Sequence, residues 1–150
     1  MKIFKFRLQT LKKLKKSTRQ KALESYGKAI AETEKLQAEL ENKKSDLIQL
    51  QKQIHLKRTS EFFGNSEENY QRSIVVANTE ILEAHTNLQN AMKLQESKRE
   101  LFLKADSEFK SLDKLNQKQK TAHEFSEMKK EEFEVDDVIG ARFVYNSKLS

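Results

Sequence analysis

The side chains in this sequence with chemical potential are three histidines, a few adjacent carboxylates and one block of cations. His55, His85 and His123 are the candidate metal ligands or general bases, and cysteine is absent. A structural zinc site needs four ligands, usually thiolates or closely spaced histidines. Only a fold that lays His55 beside His85 would supply even two. The acidic pairs Glu67-Glu68, Glu131-Glu132 and Asp136-Asp137 are sequence neighbours. Neighbours on a helix point to different sides, so these read as solvated faces rather than an acid–base pair. Gly27, Gly64 and Gly140 are the three glycines, too scattered for a phosphate-cradling loop. Catalysis requires convergent groups in a water-excluding pocket. Nothing in the spacing supplies them, so the chain reads as a non-enzyme with no metal and no cofactor.

The cations are different, because they are concentrated. The chain carries 29 basic and 23 acidic residues, a formal charge of +6. Nine of the basic residues fall within residues 1–21, where no acidic residue occurs: Lys2, Lys5, Arg7, Lys12, Lys13, Lys15, Lys16, Arg19 and Lys21. A local cationic arm points to an anionic surface at one end of the molecule. Phe4, Leu8, Leu11 and Leu14 fall on one side of it. Such an arm can enter an acidic protein cavity, lie on anionic lipid as an amphipathic helix, neutralise nucleic-acid phosphates, or simply be solvated. Only Phe4 and Phe6 offer stacking surfaces, so single-stranded nucleic acid is a poor fit.

The elements that must position these groups are helices. Ala, Glu, Lys, Leu and Arg make up 74 of 150 residues and proline is absent, the composition of coiled coils and long helices. Ala29, Thr33, Leu36, Leu40, Lys43, Leu47, Leu50 and Ile54 recur in alternating steps of four and three, a heptad seam. Upstream its phase is carried by Leu8, Leu11, Lys15, Thr18 and Ala22. The second seam reads Ile74, Ala77, Ile81, Ala84, Leu88, Ala91, Gln95, Lys98, Phe102, Ala105, Phe109 and Leu112. After a small phase slip it resumes at Leu115, Ala122, Phe125 and Met128. The predicted organisation is a single elongated hairpin: helix one over about 4–58, a tip over about 59–73, helix two over about 74–142 and a tail over 143–150. Gly64-Asn65 suits the turn, with Ser66 and Asn69 as capping side chains. The fold class is all-α, two long helices in an antiparallel coiled coil closed by a short capping loop.

Level ends would put Leu40 near Phe102, Leu36 near Ala105 and Ile54 near Leu88, with Lys43 against Lys98 in a wet layer. They would also lay the tail beside the basic arm. Val135, Val138, Ile139, Arg142, Phe143, Val144 and Tyr145 give that tail more apolar surface than one partner helix can bury, which suggests docking. At the tip, Phe62, Phe63, Tyr70, Ile74, Val75 and Val76 cap the coil or contact a partner. The Ile74-Val75-Val76 run cannot face one seam entirely. No stretch is apolar and long enough to span a membrane, and the basic N-terminus lacks the apolar run of a signal peptide, so the expected compartment is the cytoplasm.

Three segments carry a family resemblance. The opening Phe4-Lys5-Phe6-Arg7-Leu8-Gln9-Thr10-Leu11 resembles the F-x-F-R-L-Q-x-L start of the FliJ family, the flagellar protein-export coiled coils. Asn69-Tyr70-Gln71-Arg72 followed by Ile74 is similar to that family's mid-chain element. Glu134-Val135-Asp136-Asp137 with Ile139 and Arg142 is similar to its ending. The resemblance implies a part of the type III export apparatus, akin to the central stalk of rotary ATPases. Its implied partners are the ring of the export ATPase, the export-gate membrane protein and export chaperones. Nucleic acid is not among them, and membrane association would be peripheral, through partners only. Phe4, Arg7, Leu8, Leu11, Lys12, Lys15, Ile139, Arg142 and Phe143 become candidates for the ATPase side. Phe62, Phe63, Tyr70, Ile74 and Val75 become candidates for the gate side. Two other readings stay open: a scaffold that tethers its basic arm to anionic membrane or nucleic acid, and an intermolecular coiled coil.

Overall fold

The computed structural model describes residues 2–60 and 64–149, with Gly64, Asn65 and Leu149 described by backbone alone. The fold is all-α: helix α1 spans Gln9–Ser60, helix α2 spans Gly64–Leu149, and the two pack against each other antiparallel. No strand occurs among the described residues. Both helices follow from the composition. They contain no proline, and Gly27 and Gly140 sit inside them with open space around the position a side chain would take.

The boundaries differ from the sequence expectation at three places. Residues 2–8 are not helical; the backbone enters α1 through Gln9 N–H donating to the Phe6 carbonyl at 3.1 Å. Helix α2 begins at Gly64, ten residues before the expected Ile74, and takes up Asn65, Ser66, Asn69 and Tyr70. Gly and Asn are tolerated at helix starts as well as in turns, so their presence did not fix a long tip. The segment taken as a tail is also helical, since α2 continues past Arg142 to Leu149. Phe62 and Phe63 lie outside the described residues.

The chain divides into two compact units, Gln20–Leu103 and Met1–Arg19 with Lys104–Ser150. In the first, the α1 seam is as the heptads predict: Ala29, Leu40 and Ile54 are buried, and Thr33, Leu36, Lys43, Leu47 and Leu50 are half-buried. Its core is Leu40 against Ala84 and Leu88, with Leu36 and Ile81 packed alongside. Leucine opposite alanine fills a layer without strain. The register is therefore not the level-ended one. Leu40 meets Ala84 and Leu88, while Phe102 stacks with Tyr26 at 6.2 Å between ring centres. Lys43 accordingly faces no lysine; its Nζ lies 3.5 Å from Glu80 Oε2. The early start of α2 moves its residues along α1 in this direction and accounts for part of the shift. The shift also places His85 at the level of Leu40, well away from His55. At the other end of this unit Arg58 binds Glu67 with two donors, its Nε reaching Oε2 at 2.9 Å.

Candidate interaction surface

The unit formed by Met1–Arg19 and Lys104–Ser150 is built on a different chemistry. Upstream of Ala29 the seam runs through Tyr26, Ala22, Arg19, Lys15, Lys12 and Leu8, all half-buried. Leu11 and Thr18, expected on the seam, are exposed, with Leu11 at 38%. Keeping the alternation of four and three unbroken is what puts cations, not Leu11, against α2. Each finds a carboxylate. Lys12 Nζ is 3.0 Å from Asp113 Oδ1, Lys15 Nζ donates to Glu108 Oε2 at 2.9 Å, and Arg19 Nε donates to Asp106 Oδ1 at 2.6 Å. Lys110 holds the other Asp106 oxygen at 2.8 Å, and the Arg19 guanidinium lies 5.7 Å from the centre of the Phe109 ring. Hydrogen bonds from Lys110 and then Arg19 keep the Asp106 carboxyl below the usual range, and the bond from Lys15 does the same for Glu108.

Residues 2–8 form a strap across α2. Phe6 is buried, Phe4 is half-buried with its ring 5.5 Å from that of His123, and His123 Nε2 is 3.0 Å from the Lys2 carbonyl. An open cleft of about 770 Å³ lies between the strap and α2, lined among others by Ile3, Phe4, Phe6, His123 and Glu127. Sequence reasoning offers Phe6 as a stacking surface and as part of a motif, not as a buried residue. Its burial follows from the strap, for which heptad counting has no signal.

The α2 seam keeps its phase through Leu112, Asn116 and His123 and then advances by one residue to Glu127, all four half-buried. The seam does not move onto Leu115, Ala122, Phe125 and Met128 as predicted; these are exposed. Apolar side chains thus leave the seam while polar ones stay on it. From Met128 to Lys148 every described side chain is exposed, including Ile139, Arg142, Phe143 and Tyr145. Because Lys12 is opposite Asp113 and Phe4 opposite His123, the segment around Ile139–Phe143 does not lie beside the basic arm. It sits about 26 residues beyond Asp113, roughly 40 Å along the helix at ~1.5 Å per residue. The expectation of one docking head shared by arm and tail is therefore corrected by the same register shift.

The candidates thus separate into three groups. Arg7 and Leu11 are exposed, whereas Phe4, Leu8, Lys12 and Lys15 are engaged within the unit. Ile139, Arg142 and Phe143 stand in solvent on the far part of α2. In the other unit Tyr70 and Ile74 are half-buried, Ile74 on the seam, and Val75 and Val76 are exposed. Among the described residues, Lys5, Arg7, Lys13 and Lys16 are exposed and form no ion pair.

A family profile described as "Flagellar FliJ protein" matches residues 4–148, nearly the whole chain. The chain belongs to the FliJ family. No curated protein and no solved structure matches it. Membership makes this a coiled-coil protein related to flagellar export, from a family of non-catalytic export components. No helix among the described residues is long and apolar enough to cross a membrane.

Proposed function

We propose that this protein is the stalk of the flagellar export ATPase. It engages and stimulates the ATPase ring through the unit containing the basic arm, and links the ring to the export gate and to export chaperones. The observation that carries this reading is the inversion within that unit. Charged side chains occupy the seam and are satisfied in pairs, while Leu11, Leu14, Leu115, Phe125 and Met128 face solvent, as do the unpaired Lys5, Arg7, Lys13 and Lys16 of the same unit. A surface that is both apolar and cationic suits an acidic protein cavity, where apolar burial gives affinity and charge gives orientation. Contacts that differ between ring subunits can bias their conformational states. Pairing Lys12, Lys15 and Arg19 internally leaves less charge for anionic lipid or nucleic-acid phosphates, which weighs against the tether. On this reading Tyr70, Ile74 and Val75 contact the gate, and the protein works in the cytoplasm, held at the membrane only by its partners.

The test is turnover of the purified cognate export ATPase with the full chain added. Stimulation is expected, and the triple charge reversal of Arg7, Lys13 and Lys16 to Glu should reduce it by about tenfold while leaving helicity intact. An ATPase whose rate and assembly ignore the wild-type chain would refute the proposal.

A further inference from the structure

The exposed stretch of α2 that starts at the edge of the strap and runs past it carries a heptad pattern. Met128, Glu131, Val135, Val138, Arg142 and Tyr145 recur at steps of three, four, three, four and three, which places them on one stripe of a straight helix. All six are exposed, Met128 at 48% and Tyr145 at 64%. The stripe adjoins the α1-facing seam through Asn116, His123 and Glu127: Glu131 is one helical turn from Glu127, and Met128 and Glu131 also line the cleft beside the strap. Glu131 and Arg142, the two charges on it, form no ion pair with any described residue.

The order of these six residues is complementary to its own reverse. Laid antiparallel on itself, the stripe matches Met128 with Tyr145, Glu131 with Arg142, and Val135 with Val138, each layer occurring twice. Beside the stripe, Glu132 falls next to Ile139 and Glu134 next to Ala141, so no like charges oppose. Laid parallel, the same stripe would stack Glu131 on Glu131 and Arg142 on Arg142, which is disfavoured.

From this self-complementarity we infer that residues 128–145 are a self-association site, at which a second copy of this chain binds antiparallel through Val135, Val138 and the reciprocal Glu131–Arg142 pairs. With six residues a side against the roughly 20–30 of a stable interface, the dimer is weak and forms as concentration rises. The inference goes beyond the stalk reading, since it requires only the purified chain.

The experiment is sedimentation velocity on the full chain from about 1 µM to about 1 mM. Wild type should pass from monomer to dimer. Glu131→Arg and Arg142→Glu each place like charges in two layers and should weaken association by about tenfold or more. The double swap Glu131→Arg with Arg142→Glu restores opposite charges and should recover it. Because the chain has no cysteine, orientation can be read by oxidation. A mixture of Val135→Cys and Val138→Cys chains should give mainly the mixed disulfide. A monomer throughout, a dimer indifferent to single charge reversal, failure of the double swap to rescue, or a predominance of Val135→Cys homodisulfide would each overturn the proposal. The substituted side chains are all in solvent, and circular dichroism of each variant should match wild type.

Discussion

Replacing Leu40 with alanine probes the register on which the whole description depends. Leu40 is 3% exposed and packs against Leu36, Ile81, Ala84 and Leu88. The substitution removes about three methylene equivalents at ~0.8 kcal/mol each, or about 2.4 kcal/mol, and leaves a gap. The seam is open on two sides and its neighbours can partly close in, so the total should stay near the lower end of the leucine-to-alanine range, about 2–3 kcal/mol. Urea unfolding followed by ellipticity measures it. The register itself is tested by double-mutant cycles. Leu40→Ala and Leu88→Ala should couple by about 0.5 kcal/mol or more, whereas Leu40→Ala and Phe102→Ala should add to within about 0.5 kcal/mol. A larger coupling to Phe102 than to Leu88 would restore the level-ended pairing and refute the packing argued above. So would a cost for Leu40→Ala below about 0.5 kcal/mol.

Other expectations follow from single contacts. Gly27→Ala adds a methyl where nothing lies within 4 Å, and should stabilise by about 0.5–1 kcal/mol in the same unfolding assay. Phe6→Ala should release the strap, seen as loss of exchange protection at the Gln9 amide that donates to the Phe6 carbonyl and as a shift of the His123 ring resonances. Glu67, Asp106 and Glu108 have lowered carboxyl pKa values, through the Arg58, Lys110 and Lys15 hydrogen bonds first. Groups depressed on folding add stability above their unfolded values, near ~4, and lose it as pH falls through the lower folded values. Melting temperature should therefore hold level from neutrality to about pH 5 and decline below it, less steeply in Asp106→Asn.

Much of this fold is legible in the amino-acid sequence. The steps of four and three from Ala29 to Ile54 identified the α1 seam residue by residue, because burial there is decided by apolar side chains that repeat. Legibility failed where another interaction set the geometry. At Gly64-Asn65 the residues suit both a turn and a helix start, and choosing the turn contributes to the misplaced pairing of the later layers. At Lys12 and Arg19 the seam is held by ion pairs, so following leucines led to Leu11 and Thr18 instead. At Leu115 and Phe125 the reverse error occurred, an apolar run being taken for contact when it faces water. The position of Phe6 depends on a non-helical strap, which leaves no periodic trace.

The change from leucine–alanine layers around Leu40 to carboxylate–cation layers around Arg19 gives a single pair of helices two kinds of glue. Added salt screens the second kind and leaves the first nearly untouched. Cooling weakens the first, whose driving force fades with temperature. Ionic strength should therefore loosen the Lys12–Asp113 end of α1 while the Leu40 layers stay shut, and a drop in temperature should favour the opposite order. The surrounding salt then becomes a dial on how tightly the arm-bearing segment is zipped.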